Sequence, residues 1–297
     1  MQLKAVLAVL VLGFMAILPL TWAQSVGSFI GRRAYKKPDG DFCRITKINI
    51  DLCFPDLAAE GKDNLIQNSL QETGKSFCEM GMSWLWAPKR TLRKVVSVDN
   101  EELINVALTQ DKGVILIAPH LGNWEVLNLY LSDKYPFTAM YRPPKLKLMD
   151  DLIKRMRARL GTRMAPADAS GVRLVMKALK RGEMVGILPD QEPTTGGEFA
   201  PFFNQAAYSM KLLPQLVRQT GARVVCGYAE RLPKGKGFKI HFIEPDQRLY
   251  DRDLEVALAG MNASVETCVQ ALPEQYQWEY KRFNNQPEGL VSPYRRK

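Results

Sequence analysis

Hydrophobic and polar positions divide the chain into segments of different period. Residues 5–22, AVLAVLVLGFMAILPLTW, hold eighteen positions without a charged side chain. That approaches the roughly 20 that a helix needs to cross a bilayer. Further on, Val114, Ile115, Leu116, Ile117 and Ala118 form an apolar run between Gly113 and Pro119. Its β-branched residues predict a buried strand. Residues 124–131 then return to helical character, with Glu125 in the first turn. The same strand-then-helix alternation recurs downstream. A strand over 136–142 ends at Arg142. A helix over 171–181 is closed by Gly182 and followed by the strand MVGILPD. A helix over 208–220 precedes strands over 223–229 and 237–243, and a last helix covers 253–271. The PKGKG between those two strands reads as a hairpin turn, which makes that edge antiparallel.

The region before the first buried strand is read as mainly helical over 44–98. Asp63 or Asn64 caps a helix running toward Met80, and Asp99 with Glu102 forms a capping box. Alternating strands and helices predict one α/β domain over 24–297: a largely parallel sheet with helices on both faces, behind an N-terminal membrane-anchor helix over 1–23. Two other readings of the first segment stand beside the anchor: a signal peptide cleaved after Ala23, and a helix lying in the membrane interface. Arg32, Arg33, Lys36 and Lys37 follow the apolar run, which holds that side in the cytoplasm.

Charge and cysteine content narrow the function classes. The net charge is +10, and most of the excess lies between Arg142 and Arg181, where twelve bases face three acids. Leu148, Leu152, Met156 and Leu160 form one helical stripe there, with bases on the other faces. Such a helix suits anionic headgroups, a phosphorylated glycolipid or an acidic carrier protein. Nucleic acid is a weaker reading, because no nucleic-acid fold accompanies the charge. Five scattered cysteines without C-x-x-C spacing argue against both a disulfide framework and a zinc site.

Candidate chemistry centres on His120, one of two histidines. It stands where a strand hands over to a helix, with a carboxylate five positions later, and open α/β sheets bind ligands beyond the carboxyl ends of their strands. A histidine oriented by a carboxylate is a general base. A structural histidine is the competing reading. His241, inside a predicted strand, is read as structural.

The stretch APHLGNWE resembles the H-x-x-x-x-[DE] motif of glycerolipid-type acyltransferases, and in particular the bacterial lipid A biosynthesis acyltransferases that add secondary acyl chains. The resemblance runs from about Gly31 to Gln286. It includes Tyr141-Arg142-Pro143, the DQEPTTGGEFAPFFNQ segment, and a closing segment in which Pro273, Trp278 and Arg282 match. Asn204 stands where the family has glycine, and Asn tolerates the left-handed backbone such a turn requires.

What the resemblance implies is transfer of a fatty acyl chain from a thioester, on acyl carrier protein or coenzyme A, to a hydroxyl of a lipid A precursor. His120 is the base and Glu125 its orienting partner. Gly122 or Asn123 N–H groups, or Arg142, serve as oxyanion donors, and Asp190 and Gln191 line the site. Phe199, Phe202 and Phe203 wall either the acyl pocket or the core. No metal or redox cofactor is implied. The expected place is the bacterial inner membrane, with the catalytic domain on its cytoplasmic side. Three alternatives remain open: an acyltransferase for a lysophospholipid, aminolipid or other glycolipid; a membrane-tethered binding protein in which His120 is dispensable; and an exported hydrolase.

Overall fold

The computed structural model describes residues 2–144 and 147–296. The N-terminal part is helical: α1 (Gln2–Ile17), α2 (Leu20–Tyr35), α3 (Asp41–Cys53), α4 (Ala59–Leu85) and the short α5 (Pro88–Leu92). The remainder alternates as β1 (Val95–Asp99), α6 (Glu102–Leu108), β2 (Val114–Ile117), α7 (Trp124–Lys134), β3 (Phe137–Tyr141), α8 (Lys147–Arg157), β4 (Arg163–Pro166), α9 (Ala169–Lys180) and β5 (Met184–Ile187). It closes with β6 (Gly197–Phe202), β7 (Gln205–Met210), α10 (Leu212–Thr220), β8 (Arg223–Arg231), β9 (Phe238–Ile243) and α11 (Leu254–Ala271).

Seven strands form one sheet in the order β1-β9-β8-β2-β5-β3-β4. Every neighbouring pair is parallel except β8 and β9, which are antiparallel as the hairpin reading required. β6 and β7 form a separate antiparallel hairpin. Its turn places Phe203 and Asn204 at φ 48° and 59°, so Asn204 supplies the left-handed residue. The central strands are buried on both faces. Ile115 and Ile117 of β2 enter a core shared with α9, α10 and α11, while Val114 and Leu116 enter a second core shared with α6 and α7.

Several local expectations give way to tertiary structure. The apolar N-terminal run is broken at Pro19, which lacks the N–H a continuous helix would need. α1 alone, at 16 residues, extends only about 24 Å against a hydrocarbon core of roughly 30 Å. No helix among the described residues is long and apolar enough to cross a membrane. Instead α1 and α2 both pack against α4, where paired glycines allow close approach: a Cβ on Gly27 would sit 2.5 Å from the Gly74 carbonyl oxygen.

α4 starts at Ala59, ahead of Asp63 and Asn64, with no side-chain cap. The Asp99 capping box does not form. Asp99 ends β1 and pairs with Lys239 and His241, and α6 has no side-chain cap. β1 and β4 are sheet-edge strands that the sequence pattern did not isolate. Phe202 and Phe203 pack with Phe54, Trp278 and Phe283 in the core. Phe199 lies against Tyr208. All five cysteines are free and buried, and no metal-binding cluster occurs among the described residues.

Candidate active site

Strand register brings the two halves of the site together. β2 and β5 pair with Ile117 opposite Ile187. Continuing three residues past each strand sets His120 opposite Asp190, beyond the carboxyl ends of adjacent parallel strands, where open α/β sheets gather ligands. Asp190 is 3% exposed and meets His120 twice. Its Oδ2 accepts the His120 backbone N–H at 2.9 Å, and its Oδ1 lies 2.9 Å from the imidazole Nδ1. Burial raises the carboxyl's pKa, but the imidazole charge and the His120 hydrogen bonds outweigh it and hold Asp190 below the usual carboxylate range. Tyr276, 4% exposed, adjoins this carboxylate, and burial first, then Asp190, keep its phenol protonated.

The carboxylate that holds His120 is therefore Asp190 and not Glu125. Glu125 is buried in the first turn of α7 and binds Arg157 of α8, accepting from Nε at 3.0 Å and from a terminal guanidinium nitrogen. Burial works against the charge on Arg157, and Glu125 more than offsets it. The reason lies in the turn between motif and helix. Asn123 caps α7 by accepting the Val126 N–H at 3.0 Å, and the following helical turn sends residue 125 toward α8.

The expected oxyanion donors at Gly122 and Asn123 are also occupied. The Gly122 N–H donates to the Gln275 carbonyl at 3.1 Å and the Asn123 N–H to the Ala229 carbonyl at 2.8 Å. Gly122 is required for a different reason. Its φ is +63°, and a Cβ there would sit 2.0 Å from the Ala229 carbonyl oxygen. The Asn123 side chain donates to Glu79 at 2.9 Å, and Glu79 is in turn held by Arg231, which also binds Glu72. A buried charged network on α4 and β8 thus fixes the entry to the His120 helix.

Beside His120 opens a cavity of about 420 Å³ between the sheet and α7, with α8 along one side. Leu116, Leu127, Leu131, Phe137 and Ala139 make most of it apolar, and Arg142, Arg157 and Gln191 add polar groups. Its course follows the strands back from His120 toward Phe137, the first residue of β3. A Cβ on Gly186 would meet the Phe137 ring at 2.5 Å, so Gly186 leaves room for that ring. Arg142 is exposed and donates to Thr194 Oγ1 at 2.9 Å. Gln191 places its amide 3.4 Å from His120 Nε2 and 3.3 Å from Gln277 Oε1.

A small recess reaches His120 from the side of α4 and the C-terminal segment, lined by Thr73, Ser76, Gln275, Gln277 and Glu279 together with Phe77, Met80 and Trp124. Burial raises the Glu279 pKa, and Thr73 donates to this carboxylate at 3.0 Å. Arg157 was read only as one base of the charged stretch between Arg142 and Arg181, and Tyr276, Gln277 and Glu279 were not singled out from sequence. None sits in a local chemical pattern, and only the QYQWE spacing, polar and aromatic in alternation, marks the last three as an edge segment. His241, read as structural, bonds Glu230 and faces Asp99 on the sheet edge.

The chain is similar to known proteins over most of its length. The description of bacterial lipid A biosynthesis acyltransferases matches residues 2–285. The lipid A biosynthesis lauroyltransferase of Escherichia coli (strain K12) is 31% identical over 254 residues, covering 84% of this chain and 82% of that one. The palmitoleoyltransferase of the same organism is 32% identical, covering 84% and 81%. A lipid A biosynthesis acyltransferase of Haemophilus influenzae is 26% identical, covering 82% and 78%. With a matched family description over nearly its whole length and relatives above 30% identity, this chain belongs to the bacterial lipid A biosynthesis acyltransferases.

Proposed function

We propose that the protein transfers a fatty acyl chain from an acyl thioester, carried on acyl carrier protein, to a hydroxyl of a lipid A precursor, with His120 as general base and Asp190 as its positioning residue. The observation that carries this reading is the placement of His120, held by Asp190, beside an apolar cavity. The cavity suits a hydrocarbon chain, and Thr73, Ser76 and Gln277 on the other side of His120 offer hydrogen-bonding groups to an acceptor hydroxyl.

With Nδ1–H donated to Asp190, His120 Nε2 keeps its lone pair. It removes the acceptor's O–H proton while that oxygen attacks the thioester carbonyl carbon. The C=O π electrons move to oxygen, and Gln191 and Arg142 are the donors available to that oxyanion. Collapse breaks the C–S bond. The thiolate leaves and the imidazolium returns the proton to it; a thiol with a pKa near 8.5 needs little acid assistance. Nothing in this sequence calls for a metal or redox group. Glu125 acts through Arg157, holding its guanidinium along the cavity wall.

Exposed bases on α9 that make no ion pair among the described residues, namely Arg173, Lys177 and Lys180, suit an acidic carrier protein. The outer face of α1 displays Leu7, Leu10, Phe14 and Ile17, between 58% and 81% exposed. That face rests in the inner membrane's cytoplasmic interface as an anchor, which keeps lipid acceptors within reach of His120.

Lipid mass spectrometry on cells lacking this gene tests the reading. Wild type restores one acyl mass to lipid A and His120→Ala does not. A folded His120→Ala protein that restores lipid A refutes the assignment, and a His120-dependent shift in another lipid moves the acceptor to that class.

A further inference from the structure

Where Pro19 separates α1 from α2, the chain bends around a second cleft of about 510 Å³. Its floor is Trp86, 6% exposed, whose indole N–H donates to the Ala16 carbonyl at 2.6 Å and so ties the end of α1 to the end of α4. Arg90 lies over this ring at 3.7 Å. Stacking holds the guanidinium in place while leaving its N–H groups free to bind an anion. Arg93 and Lys94 line the same cleft, and Gly235, between the exposed Lys234 and Lys236, closes it. No carboxylate lines the cleft, and among the described residues none of these five bases makes an ion pair or a side-chain hydrogen bond.

A cleft of unpaired bases on a protein surface attracts anions of many kinds. Its rim narrows the choice. Ile17, 81% exposed, lines the cleft, and Trp22, 65% exposed, stands one residue beyond Thr21 of the lining. Phe14 and Leu10 continue this exposed apolar strip one and two turns back along α1. An apolar rim beside converging bases matches an amphiphile whose phosphate is joined to hydrocarbon, not a free ion. Aromatic and basic groups side by side are the usual furniture of a membrane interface.

We propose that the cleft at the α1–α2 bend is a seat for the phosphodiester headgroup of an anionic glycerophospholipid, with Arg90, Arg93 and Lys94 binding the phosphate and Ile17 and Trp22 lying among the acyl chains. The seat is separate from the His120 site. It rests on the interfacial placement of α1 proposed above, and not on the acyl-transfer chemistry. Its effect is to set the roll of the protein on the bilayer, since α1 is fixed on α4 and its apolar strip alone gives one line of insertion about which the whole protein could turn.

The test is sedimentation of the full-length protein with vesicles of phosphatidylcholine alone or mixed with phosphatidylglycerol. Arg90→Gln/Arg93→Gln/Lys94→Gln is compared with Arg173→Gln/Lys177→Gln/Lys180→Gln, which removes the same charge from α9. At about 1 kcal/mol per base near the surface, the cleft variant loses affinity for phosphatidylglycerol vesicles by on the order of a hundredfold. It keeps its binding to phosphatidylcholine and its acyl transfer in detergent, and the α9 variant loses far less affinity. Equal losses in the two variants overturn the seat in favour of diffuse attraction. Trp86 fluorescence read against inorganic phosphate without vesicles supplies the other arm: saturation at concentrations that also release the vesicles overturns a lipid occupant in favour of free phosphate. Failure of His120→Ala to abolish transfer leaves both readouts untouched, so the two readings fail separately.

Discussion

Asp190→Asn separates a positioning carboxylate from a bystander. In the native site, Asp190 accepts two hydrogen bonds, one from the His120 backbone N–H and one from Nδ1. An amide offers one acceptor and one donor end. The backbone N–H has only a donor to give, so the amide oxygen must face it and the amide NH₂ must face Nδ1. That arrangement forces the imidazole proton onto Nε2, where the lone pair is needed. The opposite rotamer restores the tautomer but sets two buried donors against each other, at about 1–3 kcal/mol. Loss of the carboxylate also removes attraction for the imidazolium formed in the transition state, about 4 kcal/mol at 4 Å with an effective dielectric of 20. Together these amount to roughly 5–7 kcal/mol, or a fall in kcat on the order of 10⁴–10⁵. The assay is acyl transfer at saturating donor and acceptor, with circular dichroism to establish folding. Turnover within about tenfold of wild type in a folded Asp190→Asn protein refutes the argument. The same carboxyl leaves a trace in stability. Its native pKa lies below that of the unfolded chain, so its contribution is complete above about pH 4 and is lost as pH falls through the lowered native value. Asp190→Asn accordingly flattens the acid limb of the stability curve.

Other substitutions probe separate parts of the site. Glu125→Gln leaves Arg157 buried without its counter-charge, so it lowers stability by about 3–5 kcal/mol and lowers kcat less than Asp190→Asn does; a loss of turnover as large as that of Asp190→Asn with unchanged stability reassigns Glu125 to His120. Gly122→Ala meets the Ala229 carbonyl oxygen and a left-handed backbone at once, and thermal denaturation should show at least about 1–3 kcal/mol of destabilisation. Phe137→Ala opens the far end of the cavity, and competition between donors of different chain length should shift toward longer chains; an unchanged preference removes Phe137 from the pocket floor.

Much of the fold was legible because the hydrophobic period is local. The apolar run at residues 114–118, the strand before Asp190 and the β8–β9 hairpin each declare themselves within a few residues, and the structure has them all. The edge strands β1 and β4 did not, because one side of an edge strand meets solvent and its pattern resembles a loop. His120, Arg142, Asp190 and Gln191 were all marked in advance and gather around one cavity or its rim. Their partnerships were not marked. Sequence reasoning gave His120 the nearest carboxylate in the chain, Glu125. The actual partner lies 70 residues away and is delivered by the Ile117–Ile187 register. Spacing along a chain identifies which groups share a turn of helix, but two strands decide which groups face each other beyond their ends.

The same distinction explains the large positive charge between Arg142 and Arg181. Counted along the sequence, it is one basic face. In the structure it is dispersed over several tasks. Arg157 turns inward to Glu125, and Arg159 donates to the Trp86 and Ser83 carbonyls beside α4. Arg163 and Arg181 share Glu183, and Lys154 is taken up by Asp150. Arg173, Lys177 and Lys180 remain exposed on α9 without ion pairs among the described residues. The α1–α2 cleft draws Arg90, Arg93 and Lys94 from residues 89–94, a short stretch with four bases and no acid, and Gly235 brings the exposed Lys234 and Lys236 beside it from a distant loop. The largest block of charge in the sequence is therefore not where unpaired bases converge, and a shorter basic stretch is. An anion site is recognised by bases that converge without carboxylates, and in this protein that convergence occurs where α1 meets α2.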